Sequence, residues 1–145
     1  ELGALLSLEI FGAVCDELDR NSIEGLAGVA LRNTVPSVEE AYSTTHLVIN
    51  PVQIGSGLKI KNIEAIGYCR GVITTPLGVQ GMEQCVGRSM MVADDAMEMK
   101  RLLLACSSDE QKVRTMSEFA SQDAASYFSP EACFRELSEY IASPQ

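Results

Sequence analysis

The sequence predicts an α/β protein, a Rossmann-like open parallel sheet with helices on both faces. Three observations support this. Five short, apolar, β-rich runs recur along the chain; capped helical stripes lie between and after them; and the composition suits a buried core. The chain has 145 residues, 46% of them hydrophobic and 21% charged, a size at which roughly two-thirds of the unfolded surface can be buried. Short continuous apolar runs suit strands covered on both faces, and their alternation with helices implies right-handed βαβ units.

The runs are residues 8–14 (LEIFGAV), 28–32 (GVALR), 46–52 (HLVINPV, with the strand over 46–50), 71–75 (GVITT) and 89–93 (SMMVA). Between the second and third, Ser37-Val38-Glu39-Glu40 reads as a capping box that opens a short helix ending before His46. After the third, a helix begins near Leu58, with Ile60, Ile63 and Ile66 expected to anchor it to the sheet. Asp95 with Glu98 is a weaker capping signal, followed by Met99, Leu102, Leu103 and Cys106 on one face. Ser108 with Gln111 opens the next helix, whose stripe is Val113, Met116, Ala120, Ala124 and Tyr127. Ser129-Pro130 places a cap before a proline at the first helical position, with Cys133, Leu137, Tyr140 and Ile141 facing inward. No internal repeat, low-complexity tract or linker stands out, so residues 1–145 read as one domain.

Several function classes lose ground on composition. No apolar run approaches the ~20 residues of a spanning helix, and the first eight residues lack the positive n-region of a signal peptide. The net charge is −9, against the basic footprint of a nucleic-acid binder. The charge is uneven: His46 to Arg88 carries +2 and the remainder −11, so a small anion could still be held in that stretch. The five cysteines include no CxxC pair, which speaks against a zinc ribbon or thioredoxin-like site. Cys106 and Cys133 on apolar stripes, and Cys15 after a strand, are expected to be buried reduced thiols of a cytosolic protein. His46 reads as a polar strand-end residue rather than a catalytic partner. The chain does not start with Met, and it reads as a piece of a longer protein or as one whose start is lost.

The chemistry concentrates in residues 50–82, NPVQIGSGLKIKNIEAIGYCRGVITTPLGVQGM. A strand, Pro51, the turn Gly55-Ser56-Gly57 and a helix follow one another. Ligands of open α/β sheets bind beyond the carboxyl ends of the strands. Glycines there allow close approach of backbone N–H groups to an anion, and a helix N-terminus adds a favourable dipole. Ser56 could donate a hydroxyl or cap the helix. Lys59 and Lys61 lie in the first turns, where cations oppose the dipole, a placement that a bound phosphate would offset. Glu64, three residues beyond Lys61, could accept from sugar hydroxyls. On spacing alone, an exposed Lys61–Glu64 pair with no ligand explains the pattern slightly better.

These residues resemble the donor-binding domain of GT-B glycosyltransferases, with the closest likeness to the retaining, glycogen-synthase-like group (family 4, glycosyl transferases group 1). The resemblance rests on Asn50-Pro51, the run from Gly55 to Ala65, Gly71-Val72-Ile73-Thr74-Thr75-Pro76-Leu77-Gly78 and Gly81-Met82. It is specific over residues 48–82, extends over most of 8–95 and is weak in the C-terminal helices. It implies that Gly55, Ser56 and Gly57 cradle the diphosphate of a nucleotide-sugar donor, that Lys59 and Lys61 lie at the phosphates with Lys61 the better placed, and that Glu64 binds the ribose. Glu64 matches the second glutamate of an E-x7-E motif. The first would fall at Ser56, so the hold on the donor sugar differs here. No catalytic residue is assigned. No cofactor and no metal are implied, and the sequence contains no DxD motif. The acceptor domain, which would take a glycan or lipid-linked sugar, and the first strand of the donor domain are missing from the chain. The resemblance implies a cytoplasmic enzyme, with peripheral association at the cytoplasmic face of a membrane as a variant, and no activity in residues 1–145 alone. The competing expectation is a non-catalytic α/β nucleotide-binding or regulatory module.

Overall fold

A computed structural model describes residues 6–11, 23, 25–32 and 37–143. The expected strand residues 12–14, and Cys15, lie outside the described residues. The fold is α/β, and among the described residues every strand pairing is parallel. The chain divides into two compact units, Glu1–Thr45 and His46–Gln145.

In the first unit, β1 (Leu8–Phe11) pairs with β2 (Val29–Arg32), Leu8 opposite Val29. Glu9 and Arg32 form a salt bridge at 3.0 Å, and no residue of either strand is fully buried. Helix α1 (Val38–Ser43) is capped as its sequence predicts, the Ser37 hydroxyl accepting from the Glu40 N–H at 3.1 Å.

The second unit holds a three-stranded sheet in the order β3 (Leu47–Asn50), β4 (Gly71–Thr74), β5 (Met90–Val92). All four residues of the central strand β4 are buried, so its run does not alternate with exposed polar residues; its one polar member, Thr74, is hydrogen-bonded. Around this sheet lie α2 (Ile60–Gly67), α3 (Ala96–Ser107) and α4 (Glu110–Asp123). Ile73, Ala93, Leu102, Cys106 and Met116 form one cluster of the core, with Leu47, Met91, Met99, Leu103 and Val113 packed against it; Ile66, Val72, Met82 and Met90 are also fully buried. Gly71 lets α4 approach the sheet: a Cβ there would lie 2.8 Å from the Met116 Cβ. Helix α3 starts as expected, the Asp95 carboxylate accepting from the Glu98 N–H at 2.8 Å.

Other helix expectations need correction. The cap of α4 is Asp109, which accepts from the Lys112 N–H at 3.0 Å. Ser108 instead closes α3, its hydroxyl donating to the Leu104 carbonyl at 2.8 Å. Ile60 does not anchor α2 but is 68% exposed, and Asn62, Ala65 and Ile66 form the buried face. Steps of three residues drift by about 60° each on a 3.6-residue helix, which carries Ile60 away from Ile66. After Asp123 the chain widens into a π turn, Ala124–Phe128. The wider turn rotates the stripe, and Tyr127 is exposed. Ser129 caps α5 (Pro130–Cys133) as expected, but neither α5 nor α6 (Arg135–Ala142) has a buried residue. Cys133, Leu137, Tyr140 and Ile141 therefore face outward. Periodicity marks a helix face as apolar; it does not supply a surface to cover it.

The thiols divide accordingly. Cys85 and Cys106 are buried, Cys69 is half-buried and Cys133 is exposed. Burial, reinforced by the neighbouring Asp123 carboxylate, pushes the Cys85 thiol up to about 11, and burial also raises Cys106. Alkylation with iodoacetamide at pH 8, followed by peptide mass mapping, is expected to label Cys133 well before Cys85 or Cys106, since the thiolate is the nucleophile. The native state holds the Cys85 proton more tightly than the unfolded chain, whose thiol has its ordinary value of 9.0. This contribution to stability is complete below that value and is lost as pH rises through about 11. Cys85→Ala should flatten urea-midpoint profiles over that window. Among the described residues, no helix is long and apolar enough to cross a membrane.

Candidate functional site at the carboxyl edge of the three-stranded sheet

Strand β3 ends at Asn50, and residues 51–59 form the loop to α2. Gly55 and Gly57 take φ of +121° and +73°, conformations that side chains rarely adopt, and no heavy atom would lie within 4 Å of a Cβ at either. Both glycines are thus required by backbone geometry rather than by crowding. Residues 53–58 are all exposed, so the loop presents its backbone to solvent. Ser56 does not cap the helix. The cap position falls to Lys59, whose side chain makes no capping bond, and α2 begins at Ile60 rather than near Leu58. The first turn therefore lacks a side-chain partner for its N–H groups.

The charged residues expected at this site lie beside the loop. The Lys59 ammonium donates to the Gly57 carbonyl at 2.7 Å. Lys61 and Glu64 pair with each other at 2.8 Å, with side chains 71% and 31% exposed. An exposed pair of this kind is worth only about 0.2–1 kcal/mol, so a ligand can separate it at little cost. His46 is exposed just before β3.

The loop is tied to its neighbours by polar contacts that sequence reasoning missed. The Asn50 side-chain amide donates to the Asn62 Oδ1 at 2.8 Å, and the Asn62 amide donates to the Gly78 carbonyl at 2.8 Å. The Thr74 hydroxyl donates to the Asn50 carbonyl at 2.8 Å, and the Thr75 hydroxyl to the Val52 carbonyl. Asn62 is wholly buried, and a polar residue on the inner face of a helix is the one signal that could have revealed it. Gly78 is needed for close approach, since a Cβ there would come within 1.8 Å of the Thr74 Oγ1. Gly78→Ala must displace Thr74 and is expected to lower the stability of the chain by about 1–3 kcal/mol in urea unfolding.

A cavity of about 390 Å³ opens at the same edge, lined by residues that follow all three strands, among them Pro51, Gln53, Thr75, Leu77, Asp94 and Met99. Gly55, Ser56, Gly57, Lys59, Lys61 and Glu64 do not line it. Its charged groups, Asp94 and Asp95, are acidic, and Asp95 already caps α3. The cavity thus disfavours an anion, whereas the loop combines open backbone, an uncapped helix start and two lysines. No family model matches the chain, nor does any curated protein or solved structure.

Proposed function

We propose that the chain is the donor-binding domain of a GT-B type glycosyltransferase, which binds a nucleotide-diphosphate sugar for metal-independent transfer of the glycosyl group to an acceptor hydroxyl. The observation that most supports this reading is the exposed Gly55-Ser56-Gly57 loop, with both glycines at positive φ, leading directly into the helix that bears Lys61 and Glu64. Backbone N–H groups of the loop and the start of α2 receive the diphosphate, as helix N-termini receive anions elsewhere. Lys61, released from Glu64, meets the negative charge that grows on the departing nucleoside diphosphate. Glu64, freed in turn, accepts from the ribose hydroxyls. The acceptor, a glycan or lipid-linked sugar, belongs to a partner domain, and the whole enzyme works in the cytoplasm or at the cytoplasmic face of a membrane.

Titration of the chain with UDP, GDP and ADP, followed by amide NMR, tests the reading. One of the three is expected to move the resonances of Gly55, Gly57 and Lys61 saturably. Absence of any response there overturns the proposal. In a discontinuous assay with a nucleotide sugar and a range of acceptor glycans, residues 1–145 alone are expected to give no product above background. Without an acceptor wall the reacting groups are not held together, a loss worth about 7–11 kcal/mol of barrier.

A further inference from the structure

Asn50 and Asn62 stand at the two ends of the loop that carries Gly55-Ser56-Gly57, and their side chains meet at 2.8 Å. This bond is a chord across the loop. Asn62 is fixed on its other side by donation to the Gly78 carbonyl at 2.8 Å, and Asn50 by the Thr74 hydroxyl on its carbonyl at 2.8 Å. Asn62 has no access to solvent, so its own two bonds, to Asn50 and to Gly78, leave polar atoms that water cannot reach if either is broken. Between the two ends, residues 53–58 are exposed. The described contacts inside the loop are few: the Thr75 hydroxyl donates to the Val52 carbonyl beside the Asn50 end, Lys59 reaches back to the Gly57 carbonyl, and Leu58 lies against Gly81. A loop so open owes its shape chiefly to how its ends are held, because closing those ends removes most of its conformational freedom.

We propose that Asn62 is a positioning residue, which through Asn50 and Gly78 holds the Gly55–Gly57 backbone ready for the diphosphate. This role rests on the donor-binding reading for its ligand, but not for its effect on the loop. Preorganised donors bind an anion without paying for their own ordering at the moment of binding.

The experiment compares wild type with Asn62→Leu, with Asn50→Ala, which cuts the chord from its half-buried end should Asn62→Leu fail to fold, and with Ser89→Ala as a destabilised control remote from the loop. Amide NMR is recorded first without ligand and then with UDP, GDP and ADP. In both chord variants the Gly55, Ser56 and Gly57 resonances are expected to shift or broaden well beyond their change in Ser89→Ala, while those of Ile73 and Ala93 hold. The affinity for whichever diphosphate wild type binds is expected to fall at least tenfold. Loop resonances that stay in place in the chord variants overturn the inference, even if melting temperatures fall, since that outcome marks a purely structural residue. Loop resonances that move with no loss of affinity also overturn it. If they move and wild type binds none of the three diphosphates, Asn62 still positions the loop, and it is the donor-binding reading that fails.

Discussion

Asp123→Ala is expected to destabilise the chain by about 3–5 kcal/mol, the usual cost of breaking a buried ion pair. Asp123 is the last residue of α4 and is wholly buried. Its carboxylate accepts from the Arg88 Nε at 2.9 Å and from the Ser89 hydroxyl at 2.6 Å. Arg88 also donates to the Gln122 side chain at 3.2 Å and lies 4.5 Å over the Phe119 ring. These contacts join the residues entering β5 to the end of α4, just before the π turn. Removal of the carboxylate leaves the fully buried Ser89 hydroxyl with the Cys85 thiol as a weak partner, whereas the Arg88 side chain is 38% exposed and can turn to water. The loss should therefore fall toward the lower end of that range. Asp123→Asn, which keeps one acceptor and removes the charge, should lose less. Urea unfolding followed by circular dichroism measures both, and a change below about 1 kcal/mol in Asp123→Ala would contradict the account. The same variant should let the Cys85 thiol fall toward its ordinary value, because the carboxylate is the second cause of its rise.

The elements that were legible in the sequence are those set by local chemistry. Short apolar runs located the five described strands; burial on both faces accounts for this at β4, while the other four are only partly buried and were marked by their β-rich apolar residues alone. Ser37, Asp95 and Ser129 were readable as caps because a short polar side chain three residues before its N–H partner is a local signal. Asp109 was missed for a local reason too: Ser108 beside it offers the same chemistry, and the choice depends on how α3 ends. The exposed faces of α5 and α6 were misread because an amphipathic pattern reports a face and not its partner. At the site, the glycine turn and the Lys61–Glu64 spacing were visible. The chord from Asn50 to Asn62 and its tie to Gly78 were not, since they join residues 12 and 16 positions apart and only the packing of α2 against the sheet brings them together.

Under the proposed donor-binding function, Glu64→Ala is expected to weaken binding of the nucleoside diphosphate by roughly thirtyfold to several thousandfold. A carboxylate that accepts from both ribose hydroxyls contributes through two charge-assisted bonds, each worth about 1.5–3 kcal/mol. Against this stands the Lys61–Glu64 pair, which must open first. It is exposed on the lysine side and returns at most about 1 kcal/mol, so the exchange favours the ligand. The substitution also frees Lys61 in the unliganded chain, which should slightly strengthen its attraction for phosphate and offset a small part of the loss. Lys61→Ala separates the two effects. It should leave the ribose contacts intact, reduce affinity less for a nucleoside than for its diphosphate, and make binding less sensitive to salt, because the interaction it removes is one that ions screen. Calorimetric titration of both variants, and of Lys112→Ala as a lysine far along the sequence on α4, with the diphosphate that wild type prefers provides the comparison. Equal affinities in wild type and Glu64→Ala would remove Glu64 from the site. An effect of Lys112→Ala as large as that of Lys61→Ala would mean that the charge acts on the ligand through the general field of the protein and not from the start of α2.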